Sequence, residues 1–589
     1  MANGQVAMGV GVRGACEAIV HATRQTLAAN PSLWCLQVDF CNAFNLVDRE
    51  AALAKVEELF PEILKWVNTC YGQPSHLLFG SSFLSSERVF HQGDPLASLL
   101  FCLGFKQLVD IIKDRVLDLP LHAWFLDDGT LDQLREVVQI LQEEGPRLGL
   151  ILSTAATVPA PAKPKSTIWC PTPNGEQEDP LGKGLVLVKE KGVVLLGAPL
   201  CSATFEAEMI QRKVEKVRDI TASLPLLEDP HTEFVLLRSC LSLPKISFLL
   251  RAVDASQHAL LLQDFDRITR EALIRILGAP VDDRTWQQGK LPVSMGGLGL
   301  RAAEDHAPAA HAASVLSAQL RVQDLVGGRR AEEGEEGVLQ PQLLVALSKA
   351  EGEQEQVREA DLVGMTQRQM GCKVDLEQQC QLMNMLGEEE EREKARLLSL
   401  TMDHAGDWLN TPPLKALWLH LRAPEFVLAI KYRLGMPVFD SAGPCPACLR
   451  DSDVHGDHAM CCGAGGERIS RHNNLRDALY DTAVAAGLGP VREGRFLLPG
   501  TDRRPADVLV PNWVGGKDAA LDVTIITPLQ AATMPEAANT AGHHDSCPQP
   551  RFWPEGEWGR GGMQKAGHCL LAHGGRDLWW LALCCTARG

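Results

Sequence analysis

Residues 32–45, SLWCLQVDFCNAFN, are an apolar strand-like run that ends in Asp39 and leads into the helix-like LVDREAALAKVEELF of residues 46–60. A second stretch, HAWFLDDGT at residues 122–130, is an apolar run broken by two acids and a glycine. It reads as a tight hairpin carrying Asp127 and Asp128 at its tip. Between the two, HQGDPLASLLFCLGFKQLVDII (residues 91–112) sets a glycine-aspartate-proline turn before a long apolar helix. An aspartate at a strand end is ordinarily a cap or turn residue. Three carboxylates at a strand end and a hairpin tip are also where two-cation chemistry would want hard oxygen ligands.

The order of these motifs carries a resemblance. Asp39 is followed by Phe40, Cys41, Asn42, Ala43 and Phe44, then come Gln92, Gly93, Asp94 and Pro95, then Phe125, Leu126, Asp127 and Asp128, and later LLGAPL at residues 195–200. In this order the chain resembles reverse transcriptases, and more closely those of non-LTR retrotransposons. The resemblance implies an α+β fold, a right-hand polymerase palm with a helical thumb. It also implies an RNA-directed DNA polymerase that adds deoxynucleotides to a DNA primer 3′-hydroxyl. By it, Asp39 and Asp127 bridge two Mg²⁺ ions, Asp128 supports them, and the Phe40 carbonyl completes a coordination shell. Phe44 would lie under the sugar and reject a 2′-hydroxyl, whereas RNA-templated RNA polymerases usually carry an aspartate at that position. Gln92 and Gly93 would shape the floor under template and nucleotide. RNA template, DNA primer or target DNA and deoxynucleoside triphosphates follow as partners.

Two departures from the family pattern stand out. Only 38 residues precede Asp39, so most of the fingers region is expected to be missing. The family's lysine near a GL-x-LN sequence has no direct counterpart, since Gly149, Leu150, Ile151 and Leu152 run into STAATVPAPAKPK, which leaves Lys163 or Lys165 as candidates. Beyond residue 200 helical patterns dominate. In EMIQRKVEKVRDI, Ile210, Val214, Val217 and Ile220 mark an apolar face, with Arg212, Lys213, Lys216 and Arg218 around the remainder. Residues 224–301, with Trp286 and LPVSMGGLGLR, resemble the region after the family's palm. A basic helix face suits phosphate contacts, and equally a solvated surface.

Residues 441–475 turn rich in cysteine, histidine and glycine. Cys445 and Cys448 form a CxxC, and His458 and Cys462 follow with three residues between them, a set able to close a tetrahedral Zn²⁺ site. His455 and Cys461 compete as alternatives. Downstream, Glu493, the run Arg504 to Asp507 and the run Leu521 to Thr524 resemble the restriction-like endonuclease that follows a zinc knuckle in some non-LTR elements. That resemblance implies catalytic roles for Glu493, Asp507 and Asp522 in nicking DNA, although the family's lysine two residues past the second acid is Thr524 here.

The expected organisation is therefore a palm with partial fingers (residues 1–200), thumb and connection (201–330), an acidic linker and helical region (331–440), a zinc knuckle with an endonuclease-like α/β module (441–530) and an irregular tail (531–589). Length and composition agree with several globular cores. There are 589 residues, 45% hydrophobic, and the net charge of -17 owes much to nine glutamates in two runs, within residues 332–336 and 388–393. That charge argues mildly against a general nucleic-acid binder, because phosphate contacts need lysine and arginine. Eighteen scattered cysteines read as reduced thiols of an intracellular chain, no apolar run suits a membrane span, and the implied chemistry would act in the nucleus. A truncated, non-catalytic nucleic-acid-binding remnant is the alternative expectation, and a nuclease acting without a polymerase a third.

Overall fold

The structure is a computed structural model. It describes residues 12–86, 90, 94, 96–116, 121–125, 128–131, 134–158, 162, 165–169, 184–188, 192–326, 339–351, 357–387, 389–417, 419–494, 506–514, 517–523, 525, 527–530, 534–539, 564–568 and 583–587. Two compact units make up the chain. The first comprises Met1–Lys213, Ser247–Leu261 and Ala307–Gly371, the second Val214–Ile246, Leu262–His306 and Cys372–Gly589.

In the first unit, β1 (Cys35–Val38) is the middle strand of a five-stranded sheet. It pairs antiparallel with β5 (Asp128–Leu131) on one side and with β6 (Thr167–Trp169) on the other. β4 (His122–Phe125) extends the sheet beyond β5, and β7 (Val186–Val188) adds a parallel edge to β6. Side chains alternate along a strand, so β1 feeds two cores. Leu36, Val38 and Phe40 enter a cluster with Leu100, Phe101 and Phe105 of the helix Ala97–Arg115 and with Ala52 and Val56 of the helix Arg49–Leu59. Cys35 enters the other, with Ile19 and Val20 of the helix Ala15–Ala29 and Val193, Leu195, Ala198 and Leu200. Those last four belong to a hairpin of β8 (Val193–Leu195) and β9 (Ala198–Leu200). Its two turn residues, Leu196 and Gly197, both have positive φ, as a two-residue turn matched to strand twist requires. A separate hairpin pairs β2 (Ser75–Phe79) with β3 (Ser82–Ser86).

The helix expected over residues 46–60 is divided. A short turn, Ala43–Leu46, begins after Asn42, whose φ of 51° is tolerated by asparagine's short polar side chain. The chain then starts afresh at Arg49, because the Asp48 side chain accepts from the Ala51 amide and caps the helix Arg49–Leu59.

The second unit is mostly helical. Its core gathers Phe234, Leu273, Leu277, Leu298, Leu300, Phe426 and Ile430. The LPVSMGGLGLR stretch forms a tight loop there, because a side chain at Gly297 would meet the Leu291 carbonyl oxygen at 2.1 Å. The wholly buried Arg433 donates to the carbonyls of Gly297 (3.0 Å) and Val293 (2.8 Å), so a cation satisfies the loop's inward-facing oxygens. Toward its end the unit carries a short hairpin of β10 (Gly443–Pro444) and β11 (Asp451–Ser452). A three-stranded sheet follows, of β12 (Val491–Arg492), β13 (Val508–Val514) and β14 (Lys517–Leu521), against which the helix Glu467–Ala485 packs through Leu479, Tyr480 and Ala483. In the expected irregular tail the backbones of Gln564–His568 and Leu583–Ala587 pair as antiparallel strands, which no periodicity in that sequence foretold.

Candidate functional site

Asp39 leaves the end of β1 with its side chain 19% exposed. In the antiparallel register Val38 opposes Gly129, so the next step along both strands sets Asp39 level with Asp128. Directly opposed residues of an antiparallel pair lie about 4.5–5.5 Å apart. Phe125 pairs with Asp128 to close the expected hairpin; Leu126 and Asp127 at its tip lie outside the described residues, as do Gln92 and Gly93.

The backbone of Asp39 is held by residues far along the chain. Its amide donates to the Ser166 hydroxyl (3.0 Å), that hydroxyl donates to the Asp39 carbonyl (2.9 Å), and the Ser153 amide donates to the same carbonyl (2.8 Å). Ser166 is completely buried. The Lys165 ammonium stands 3.9 Å from the Asp39 carboxylate on an exposed side chain, while Lys163 lies outside the described residues. Sequence reading passed over Ser153 and Ser166; the adjacency of Ser166 to Lys165 was the sole signal.

The neighbours of Asp39 divide between packing and access. Phe40 is buried edge-on to Phe105. Phe44 is half-buried and stacks on Phe101 with ring centres 4.4 Å apart. Asp94 of the QGDP motif accepts from the Leu96 amide at 2.9 Å and from the Tyr71 hydroxyl, which explains its place before the helix Ala97–Arg115. Gly149 has a φ of 75°, and a side chain there would meet the Leu46 carbonyl oxygen at 1.7 Å, so the close passage of this loop demands glycine.

In the second unit, Cys445, Cys448, His458 and Cys462 bring one ligand atom each to within 4.8 Å of the others. The Sγ atoms of Cys445 and Cys462 are 3.8 Å apart, and Cys448 Sγ is 3.2 Å from His458 Nε2. Three thiol sulfurs and an imidazole nitrogen are a donor set that could bind zinc. Hydrogen bonds from the backbone amides of Ala447 and then Cys448 pull the Cys445 thiol down to about 6, toward the thiolate a metal needs. Asp453 accepts from the amides of His455, Asp457 and His458 and so shapes the loop, and Arg392 grips Asp457 through both carboxylate oxygens. The competing residues His455 and Cys461 are outside the cluster.

Two of the acids expected of an endonuclease-like module, Asp507 and Asp522, also lie side by side. Val508 opposes Leu521, which sets Asp507 level with Asp522 at the mouth of the β13–β14 hairpin. Burial, and secondarily the Asp507 carboxylate, push the Asp522 carboxyl up to about 6. Asp507 Oδ2 accepts from the Val523 amide (2.6 Å) and lies 3.2 Å from His472 Nε2, a partner that sequence reading did not single out. Glu493 joins through its backbone, donating to the Asp507 carbonyl at 2.8 Å, while its carboxylate accepts from Arg476 at 2.7 Å. Thr524 lies outside the described residues.

No protein-family model matches the chain. Over 315 residues it is 24% identical to the 132 kDa protein of the retrotransposable element SLACS of Trypanosoma brucei gambiense, a match that covers 51% of this chain and 25% of that protein. The chain thus spans about a quarter of the length of the curated relative it matches. Among solved structures it is similar to the telomerase of Candida albicans in complex with a fragment of telomeric RNA, with a TM-score of 0.21 and 11% identity over 55% of each chain. Among the described residues no helix is long and apolar enough to cross a membrane. Over half its length, then, the chain is distantly similar to a retrotransposable-element protein.

Proposed function

We propose that the first unit carries the polymerase centre of a non-LTR retrotransposon, an RNA-directed DNA polymerase that extends a DNA primer along an RNA template. The observation that supports this most is the strand register that sets Asp39 level with Asp128 at the ends of neighbouring strands, with Asp127 next in sequence. Carboxylates carried at level backbone positions are the hard oxygen donors that Mg²⁺ prefers. When bound, two such ions activate the primer 3′-hydroxyl and stabilise charge on the departing pyrophosphate. Asp39 and Asp127 would hold them, with Asp128 in support and the Phe40 carbonyl as a further ligand. Phe44, Gln92 and Gly93 would shape the nucleotide floor. Lys165, beside Asp39, is suited to neutralise or protonate a phosphate oxygen there.

The same reading extends to the second unit. Cys445, Cys448, His458 and Cys462 would hold Zn²⁺ as a structural clasp, and Asp507 with Asp522 would form a DNA-nicking centre, Glu493 standing at its edge. The level placement of Asp507 and Asp522 supports this. Nicking would then expose the 3′-hydroxyl that primes copying, in the nucleus where target DNA lies.

Primer extension on a poly-A template with Mg²⁺ tests the polymerase. The expected result is incorporation of deoxynucleotide by the parent and its loss in Asp127→Asn. A parent that binds primer-template without incorporating nucleotide would instead mark a non-catalytic remnant.

A further inference from the structure

The end of β1 poses a hydrogen-bonding problem. The ladder between β1 and β6 runs as far as Gln37 opposite Thr167, two residues before Asp39. Past that point the peptide groups of Asp39 need other partners, since unpaired backbone groups away from water are costly. One side chain answers for both: the Ser166 hydroxyl accepts from the Asp39 amide and donates to the Asp39 carbonyl. The Ser166 amide in turn donates to the Ser153 carbonyl (3.1 Å), and the Ser153 amide donates back to Asp39, so the clasp is a closed loop. A hydroxyl with no exposed surface and two fixed partners has no freedom to reorient.

A backbone held at both its amide and its carbonyl leaves the Cα–Cβ direction of Asp39 little room to swing. We propose that Ser166 is a positioning residue for the palm carboxylate of Asp39, and that its hydroxyl sets how tightly this site holds a divalent cation. It touches neither nucleotide nor metal. Partners that orient a ligating carboxylate matter because a ligand that wanders must be ordered when the ion binds. The inference rests on the polymerase reading, through the role given there to Asp39.

Mn²⁺ binding to the whole 589-residue, zinc-loaded chain, followed by electron paramagnetic resonance, separates the two. The binding that Asp39→Asn removes defines the palm's share. Ser166→Ala is expected to weaken that share about tenfold, whereas Ser166→Thr, which keeps the hydroxyl, is expected to stay near the parent. Half-saturation of primer extension by Mg²⁺ should shift in parallel, with the KM for deoxynucleotide unmoved. A purely structural role would lower activity without moving either metal titration. If Asp39→Asn removes Mn²⁺ and Ser166→Ala binds it as the parent does, the positioning role is overturned and the polymerase reading stands. If Asp39→Asn removes none, both fall. Should Ser166→Ala fail to fold by circular dichroism, Ser166→Cys, of similar volume but a weak donor, is measured by the same criteria.

Discussion

The Sγ atoms of Cys445 and Cys462 stand 3.8 Å apart, the edge of a tetrahedron whose centre lies about 2.3 Å from each sulfur, the Zn–S bond length. The chain is therefore expected to purify with one zinc per molecule in this cluster. Cys445→Ser should lower the zinc found by atomic absorption by about one equivalent. It should also loosen residues 443–466, seen as faster amide exchange there, because little apolar surface holds that loop together.

Gly149→Ala tests the close passage of its loop against Leu46. The substitution combines a left-handed backbone with a side chain driven into a carbonyl oxygen. A loss of about 2–4 kcal/mol in urea unfolding is expected. A change within 0.5 kcal/mol, the usual range of about that size for surface substitutions, would mean the loop does not pass there.

His21 and His311 form a buried edge-to-face pair, with His21 Nε2 2.9 Å from the Ser314 hydroxyl and His311 Nδ1 3.0 Å from the Arg251 carbonyl. Burial first, then the charges of His311, Arg24 and Arg251, bring His21 down to about 3. Burial likewise brings His311 down to about 4. Both titrate lower folded than unfolded, so the unfolded chain binds more protons below pH 6.5 and stability falls as pH drops from 6.5 toward 4. A slope of about 1–3 kcal/mol per pH unit is expected in that window. His21→Gln combined with His311→Gln should flatten it in denaturant titrations at pH 7.5, 6.0 and 5.0.

Asp522 should titrate near 6 in carboxyl carbon NMR. Its raised value means that the folded chain holds a proton there between its ordinary 3.8 and about 6, so this group favours folding more as pH falls through that range. Asp507→Asn removes the neighbouring charge and leaves the burial. The midpoint is expected to drop partway, and an unchanged midpoint would show that the two carboxylates do not interact.

Much of this was written locally. The apolar run before Asp39 foretold a strand, and HAWFLDDGT foretold a hairpin, because apolar patterning and turn chemistry act over a few residues. The CxxC with His458 and Cys462 was legible for the same reason: the four side chains lie within 18 residues, and the cluster gathers that set rather than His455 or Cys461. Asp48 was harder to read, since a capping aspartate inside a helix-like run looks like any other polar position until its side chain is seen to accept from the Ala51 amide.

The amino-acid order by itself determined which residues carry acid and thiol chemistry and the strands and turns that present them, since those are short-range properties of the chain. The tertiary structure alone decided that β5 and β6 flank β1, that Ser166 clasps Asp39 from 127 positions away and that His472 reaches Asp507 across 35. Such pairings depend on which distant segments share a core, and no local pattern of residues encodes the free energy of that choice.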